Sequence, residues 1–407
     1  MENRFKNVSR QFMISFSNSL MALIIIILFV SCSSQKNGER QSSLMVGIAE
    51  VNYIPEVGLD QVGNYRGNDY ASRGIHDSLY VHTILASNSK GEKTSILSID
   101  ICSMTKEPVQ MMRSYVACRT DIKPENIMIL TTNTYSGPRS DLSAPKANEY
   151  LTRAADTVIR LEKNLQPPLI AIGRSKEDRI SYNRRLKCID GTTHLCCEKF
   201  QPGFVVEPMG SIYPELITIS FTQQGKSIGI IVNFGCHATT LTGNNWLYSA
   251  DYPGYIVESL KRVMRKNYIP LFFNGCCSNV TQVDYRVGFI STFQEAQRIG
   301  YILSISALEA IKNQEVVSID KIIIPKEMVL LKRMTITDEP LTWAKAALKK
   351  VERKGMPPLQ ADGIPDAEYA QDWIKIYETQ NKIDSLVVMV VLIGDAAFVE
   401  LPGEIFC

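Results

Sequence analysis

Residues 216–237 read LITISFTQQGKSIGIIVNFGCH, and this stretch decides the fold. Two apolar runs, Leu216–Thr222 and Ile228–Phe234, flank the polar turn Gln223-Gln-Gly-Lys-Ser227, which is the pattern of a β-hairpin. The second run leads into Gly235-Cys-His237, so a histidine stands at the carboxyl end of a buried strand. Downstream, Pro253–Lys266 reads as a helix and Ile269–Asn274 (IPLFFN) as a short buried strand. A polar loop follows over 274–282 (NGCCSNVTQ), then a helix over Phe293–Lys312 with Ala296, Ile299, Leu303, Ala307 and Ala310 on one face.

The same order occurs upstream. Leu79–Ser87 and Thr94–Ile101 are strands around Asn88-Ser-Lys-Gly-Glu-Lys93, Glu107–Cys118 is a helix, and Asn126–Thr132 is a buried strand. Asn148–Lys163 is a helix stopped by Gln166-Pro-Pro168, and Leu169–Arg174 is a further strand. The hairpin glycines Gly91 and Gly225 are 134 residues apart, as are the strand ends Asp100 and Phe234; Asn133 and Asn274 differ by 141. The spacing predicts an α/β fold of mixed sheets flanked by helices, built from two pseudo-repeated β-hairpin–helix–strand–helix units. After these come a strand over 321–334, a helix over Leu341–Lys354, a Pro/Gly loop over 355–366 and a helix over Ala367–Asp384. A last hairpin, Leu386–Ile393 with Ala397–Glu400, leads to Leu401-Pro-Gly-Glu-Ile-Phe-Cys407. That end follows a buried strand without a polar tail, so a domain truncated at its C-terminus is expected.

Composition narrows the function classes. An apolar fraction of 45% in 407 residues supports a core and excludes a disordered chain. With 44 Lys+Arg against 42 Asp+Glu and no basic stripe, no nucleic-acid partner is expected. Arg4, Lys6 and Arg10 precede the apolar run Leu20–Val30 and then Ser31-Cys32. This is the layout of a secretory signal over 1–31, and its junction resembles a bacterial lipobox that acylates Cys32. Residues 32–44 then form a polar tether, and the chain is expected at the cell envelope, lipid-anchored to a membrane. The other nine cysteines fit neither a zinc ribbon nor CxxC spacing, so mostly buried thiols are expected.

Ligands in α/β sheets sit beyond the carboxyl ends of strands. Those loops hold Thr131-Thr-Asn-Thr-Tyr-Ser-Gly-Pro138, Gly235-Cys-His237, the 274–282 segment and Glu400-Leu-Pro-Gly-Glu404. His237 reads as a metal ligand or base, or else as a core histidine bonded to backbone. Glu404 reads as a second ligand or as an exposed turn residue. Catalytic zinc ordinarily takes three protein ligands and an open position, and these two residues supply only two. His82 reads as structural; His76 and His194 lack a convincing ligand set. Cys276 or Cys277 with His237 is a remaining thiol–imidazole reading.

Several blocks in order make the chain resemble the N-terminal catalytic domain of neutral/alkaline, non-lysosomal ceramidases and their bacterial relatives. They are Val46-Gly-Ile-Ala49, Arg73-Gly-Ile-His-Asp77, Asn183-Arg-Arg185, Ser211–Glu215, Val232-Asn-Phe-Gly-Cys-His237, Ser249-Ala-Asp-Tyr-Pro-Gly254, Asn274-Gly275 and Leu401-Pro-Gly-Glu404. They span nearly all of residues 45–407. The resemblance implies zinc-dependent hydrolysis of a lipid amide such as an N-acyl sphingosine. It implies zinc held by a histidine of a His-Thr-His-Ser-Gly-Pro loop, by His237, by Glu404 and by a later tyrosine, with a serine nucleophile in a Gly-Asp-Val-Ser-Pro loop. Here the first loop reads Asn133-Thr-Tyr135-Ser-Gly-Pro138 and the second reads Ser278-Asn-Val-Thr281-Gln282. Asn133 therefore takes the first ligand position, Tyr135 replaces the second histidine, and Thr281 takes the nucleophile position. Asn offers only a neutral oxygen to zinc, and Tyr135 only a phenolate. Two readings follow: a zinc amide hydrolase, or a catalytically impaired relative that binds a lipid or glycan.

Overall fold

The computed structural model describes residues 44–264, 267–318, 322–354, 364–393 and 395–407. The expected signal 1–31, Cys32, the tether 33–43 and most of the expected loop 355–366 lie outside them.

Two mixed sheets pack face to face, with a helical pair on each outer side. The first sheet has strand order β1 (Met45–Asn52), β2 (Tyr80–Ser87), β3 (Lys93–Ile99) and β4 (Ile127–Thr131). Helices α1 (Lys106–Ala117) and α2 (Ala147–Leu161) cover its outer face, burying Val81, Leu97, Ile127, Met112, Leu151 and Val158. The second sheet has β5 (Leu169–Lys176), β6 (Glu215–Gln223), β7 (Lys226–Phe234) and β8 (Ile269–Asn274), with Glu315–Val316 at its edge. Helices α3 (Asp251–Met264) and α4 (Phe293–Lys312) cover it through Ile256, Leu260, Ile299 and Leu303. Between the sheets lie Ile84, Ile96, Met128, Ile219, Ile231, Leu271 and Phe273. The Ser98 hydroxyl donates to the Phe272 carbonyl at 2.6 Å across that interface.

Both sheets have the same pairing senses. In each, a hairpin is antiparallel (β2 with β3, β6 with β7) and its second strand runs parallel to the next (β3 with β4, β7 with β8). The hairpin turn before β7 has Gln224 at φ 48° and Gly225 at φ 72°, the two-residue left-handed geometry that matches strand twist. Helix α4 starts at an N-cap, where the Thr292 hydroxyl accepts from Glu295 N at 3.1 Å.

A third, smaller sheet holds β9 (Lys326–Lys332), β10 (Ile383–Ile393) and β11 (Ala396–Glu400). The expected strand 321–334 is broken, because Pro325 cannot donate to a ladder; Ile322–Ile323 and β9 pair with different parts of β10. Helix α5 (Asp338–Lys354) starts three residues before the expected Leu341. Helix α6 (Asp366–Thr379) ends before the expected Asp384, because Ile383–Ser385 pair with Leu330–Lys332 instead. Residues 185–208 carry a small three-stranded sheet that the hydrophobic pattern did not announce. Cys188, Cys196, Cys236 and Cys277 are buried thiols, whereas Cys118 and Cys407 are exposed. Among the described residues, no helix is long and apolar enough to cross a membrane.

Candidate active site

The parallel pairs end in register, with Phe234 beside Asn274 and Ile99 beside Thr131. Two loops from each sheet therefore emerge at one edge. Asn133 comes from the first sheet, His237 and Cys277 from the second, and Glu404 arrives after β11. Arg113 anchors β11 by donating to both oxygens of Glu400 at 3.0 and 3.1 Å.

His237 is 3% exposed. Its Nδ1 lies 2.7 Å from the Cys277 carbonyl and 3.0 Å from the Val280 carbonyl. Carbonyls only accept, so Nδ1 carries the proton and Nε2 is the position left for chemistry. Nε2 lies 3.4 Å from Glu404 Oε2. Burial opposes a charged ring, but Cys277 and Glu404 outweigh it and raise the imidazole to about 10. Glu404, whose side chain is 43% exposed, is held below the usual carboxylate range, chiefly by His237 and further by Asn133 and the Arg184 charge.

Asn133 is buried, in left-handed backbone at φ 64°, with its amide donating to the Ile101 carbonyl at 3.1 Å. Its Nδ2 donates to Glu404 Oε1 at 2.5 Å and lies 3.9 Å from Cys277 Sγ. The Asn274 amide nitrogen also approaches Cys277 Sγ, at 3.6 Å. The structure thus brings Asn133, His237 and Glu404 together. Tyr135 meets them through its ring, edge-on to His237 with centroids 6.3 Å apart. Burial, then the nearby Cys102 and Glu404, push its phenol upward, which disfavours a phenolate ligand. Thr281 is buried, its hydroxyl donating to Gln282 Oε1 at 3.3 Å and accepting from Val283 N at 3.3 Å. It also lies against the Cys196 thiol, and among the described residues its hydroxyl makes no hydrogen bond to His237 or Glu404.

The other histidines have local partners. His82 Nε2 lies 3.3 Å from Glu50, His194 Nδ1 2.6 Å from Glu198, and His76 stacks on Phe293 beside Asp77. Sequence reading missed Arg66. It is buried and donates to the carbonyls of Tyr135 (2.9 Å), Asn245 (3.1 Å) and Asn64 (3.3 Å), so it braces the Asn133–Pro138 loop. No motif signalled it. Arg184 lay in a matched block, but its charge near Glu404 was not read from it.

No protein-family model and no curated protein matches the sequence. Solved structures do match. The neutral ceramidase from Pseudomonas aeruginosa aligns with TM-score 0.65 and 18% identity over 90% of this chain. The fold is that of a neutral ceramidase. A ceramidase complexed with C2 aligns at TM-score 0.64 and 16% identity over 89% of this chain. The chain spans 63% and 64% of those two ceramidases.

Within this ceramidase fold, the zinc implied by the resemblance can be tested against the donors present. His237 Nε2 and Glu404 suit it. Two donors about 2.0–2.1 Å from one tetrahedral ion stand about 3.3 Å apart, and these stand 3.4 Å apart. The rest of the set does not fit. Among the described residues no three of His, Cys, Asp and Glu gather as a metal-holding group. Asn133, at the first ligand position, turns an N–H toward Glu404 rather than a donor atom toward a metal. Burial also holds the Cys102 thiol up at about 12.

Proposed function

We propose that this chain is a ceramidase-fold lipid-amide-binding protein of the cell envelope, anchored through Cys32, that does not run zinc-dependent hydrolysis. The single observation behind it is the Asn133 amide bonded to Glu404 where the resemblance calls for an imidazole ligand. The hydroxyl at the nucleophile position supports the same reading, since Thr281 Oγ1 bonds to Gln282 rather than to a base. The ligand class comes from the ceramidase fold. A long-chain amide such as an N-acyl sphingosine offers one carbonyl acceptor, one N–H donor and apolar tails. His237 Nε2 and the half-exposed Glu404 carboxylate are the groups that meet such an amide.

The buried Nε2, 3.4 Å from Glu404, also favours a second reading, a zinc amide hydrolase. One experiment separates the two. The Cys32→Ser chain, which carries no lipid anchor of its own, is incubated with phosphatidylcholine vesicles with and without N-acyl sphingosine, and both co-sedimentation and fatty-acid release are measured. Binding that depends on the sphingolipid, with no release in added zinc, is expected. Release abolished by His237→Ala and by a chelator replaces this reading with the hydrolase. Equal binding to both vesicles removes the lipid-amide ligand.

A further inference from the structure

We infer that the carboxamide nitrogen of Asn133 on Oε1 and His237 on Oε2 together satisfy the Glu404 carboxylate without metal, so that an imidazole at position 133 alone would turn the three positions into a zinc site. This rests on the reading that the site works without zinc.

The nitrogen, not the oxygen, must face Glu404, because a carboxylate only accepts hydrogen bonds. Its two hydrogens have two electron-rich neighbours, Glu404 Oε1 at 2.5 Å and Cys277 Sγ at 3.9 Å. The amide oxygen at the other end lies 4.0 Å from the Cys102 thiol. A carboxylate and a sulfur thus converge on positive partial charge, as they would on a metal. The orientation is fixed from below, because the Asn133 backbone is bound to Ile101. On the far side of Glu404, His237 Nε2 keeps the spacing of a second donor on one ion, 3.4 Å. What is missing is one electron pair at position 133. Its left-handed backbone at φ 64° is a conformation in which histidine, like asparagine, is enriched, so the backbone at 133 accepts a histidine.

The test is zinc affinity of the full chain by competition with a chromophoric chelator, together with melting temperature with and without zinc. Wild type, Asn133→His and the double variant Asn133→His/His237→Gln are compared. We expect no zinc-dependent melting shift in wild type. In Asn133→His we expect zinc binding tighter by about a hundredfold or more, since even outer partners of ligands carry ten- to a hundredfold. The double variant should lose the gain. Wild type holding one zinc per chain with a chelator-sensitive melting temperature overturns both this inference and the metal-free reading. Asn133→His binding no tighter than a zinc-free wild type overturns this inference alone. If Asn133→His does not fold, Asn133→Gly with free imidazole in solution replaces it. Imidazole-dependent zinc uptake is then expected, and its absence refutes the inference.

Discussion

The contact between Asn133 and Glu404 makes an ordered prediction for three substitutions at one position. Asn133→Gly removes the hydrogen bond and keeps a backbone at φ 64° easy to adopt. A hydrogen bond to a charged group is worth about 1.5–3 kcal/mol. The Glu404 side chain is 43% exposed, so solvent screening puts the loss near the lower end, about 1.5 kcal/mol. Asn133→Ala loses the same bond and forces a Cβ-bearing side chain without a local hydrogen bond into the left-handed region. That adds about 1 kcal/mol. Asn133→Asp is the informative one, since it sets a second carboxylate against Glu404 in a mostly buried place. Burial and like charge would raise the folded pKa of that aspartate above its unfolded value. Its stability contribution is therefore retained at low pH and lost as pH rises through the folded pKa. Urea unfolding at about pH 7 should rank wild type above Gly, Gly above Ala and Ala above Asp, and at about pH 4 the Asp variant should recover relative to Ala. An aspartate variant as stable as the alanine variant at neutral pH would mean that the amide nitrogen does not face Glu404.

The remaining predictions concern the frame and the anchor. Asp100 is buried and raised to about 6, mainly by burial. That contribution is present below its unfolded pKa and lost as pH rises through about 6, so Asp100→Asn should stabilise the chain at about pH 8, by at most about 3 kcal/mol, and not at about pH 3. Equal effects in urea melts at both pH values would refute this. A Cβ on Gly173 would stand 2.2 Å from the Ala310 carbonyl oxygen of α4; Gly173→Ala should cost about 1–3 kcal/mol or more, and an unchanged urea midpoint would show that the helix shifts freely. Cys32→Ser should move the chain from the membrane to the soluble fraction of its host. Unchanged membrane partition would remove the lipid anchor.

Much of the architecture was legible because it depends on local pattern. The two hairpins, their parallel third strands and the four flanking helices follow from short apolar runs and from the Asn88–Lys93 and Gln223–Ser227 turns, which fix pairing over a few residues. The stacking of the sheets was not legible. It depends on which face of each strand is apolar on both sides, as with Ile84 and Ile231 in the same buried layer, and strands buried on both faces carry no alternation. The last third was misjudged where one proline outweighed a long apolar run. At the site, Asn133, His237 and Glu404 were found by their positions after strands and by the matched blocks. The partners that define them were not. The Cys277 and Val280 carbonyls at Nδ1 are main-chain groups, which no residue-type motif encodes.

That division separates what holds the site's shape from what would set its chemistry. The loops after β7 and β8 cross with almost no space between them. A Cβ on Gly235 would stand 2.7 Å from the Cys276 carbonyl oxygen, and one on Gly275 would stand 3.1 Å from the Gly235 Cα. Glycine at both positions is therefore required by backbone contact, whatever the loops later hold. The crossing places the Cys277 and Val280 carbonyls under His237 at Nδ1 and so turns Nε2 toward Glu404. Persistence of Val232–His237, Asn274-Gly275 and Leu401–Glu404 thus reports a scaffold and the direction of an imidazole. The zinc hydrolysis that the resemblance implies would need more, namely donors for a metal and a nucleophile with a base. Those depend on side chains at 133 and 281, where exchanging one polar side chain for another leaves the strands, the turns and the glycine crossing intact. The glycines at 235 and 275 constrain the fold, whereas the side chains at 133 and 281 do not, so only the latter two positions bear on the proposed loss of hydrolysis.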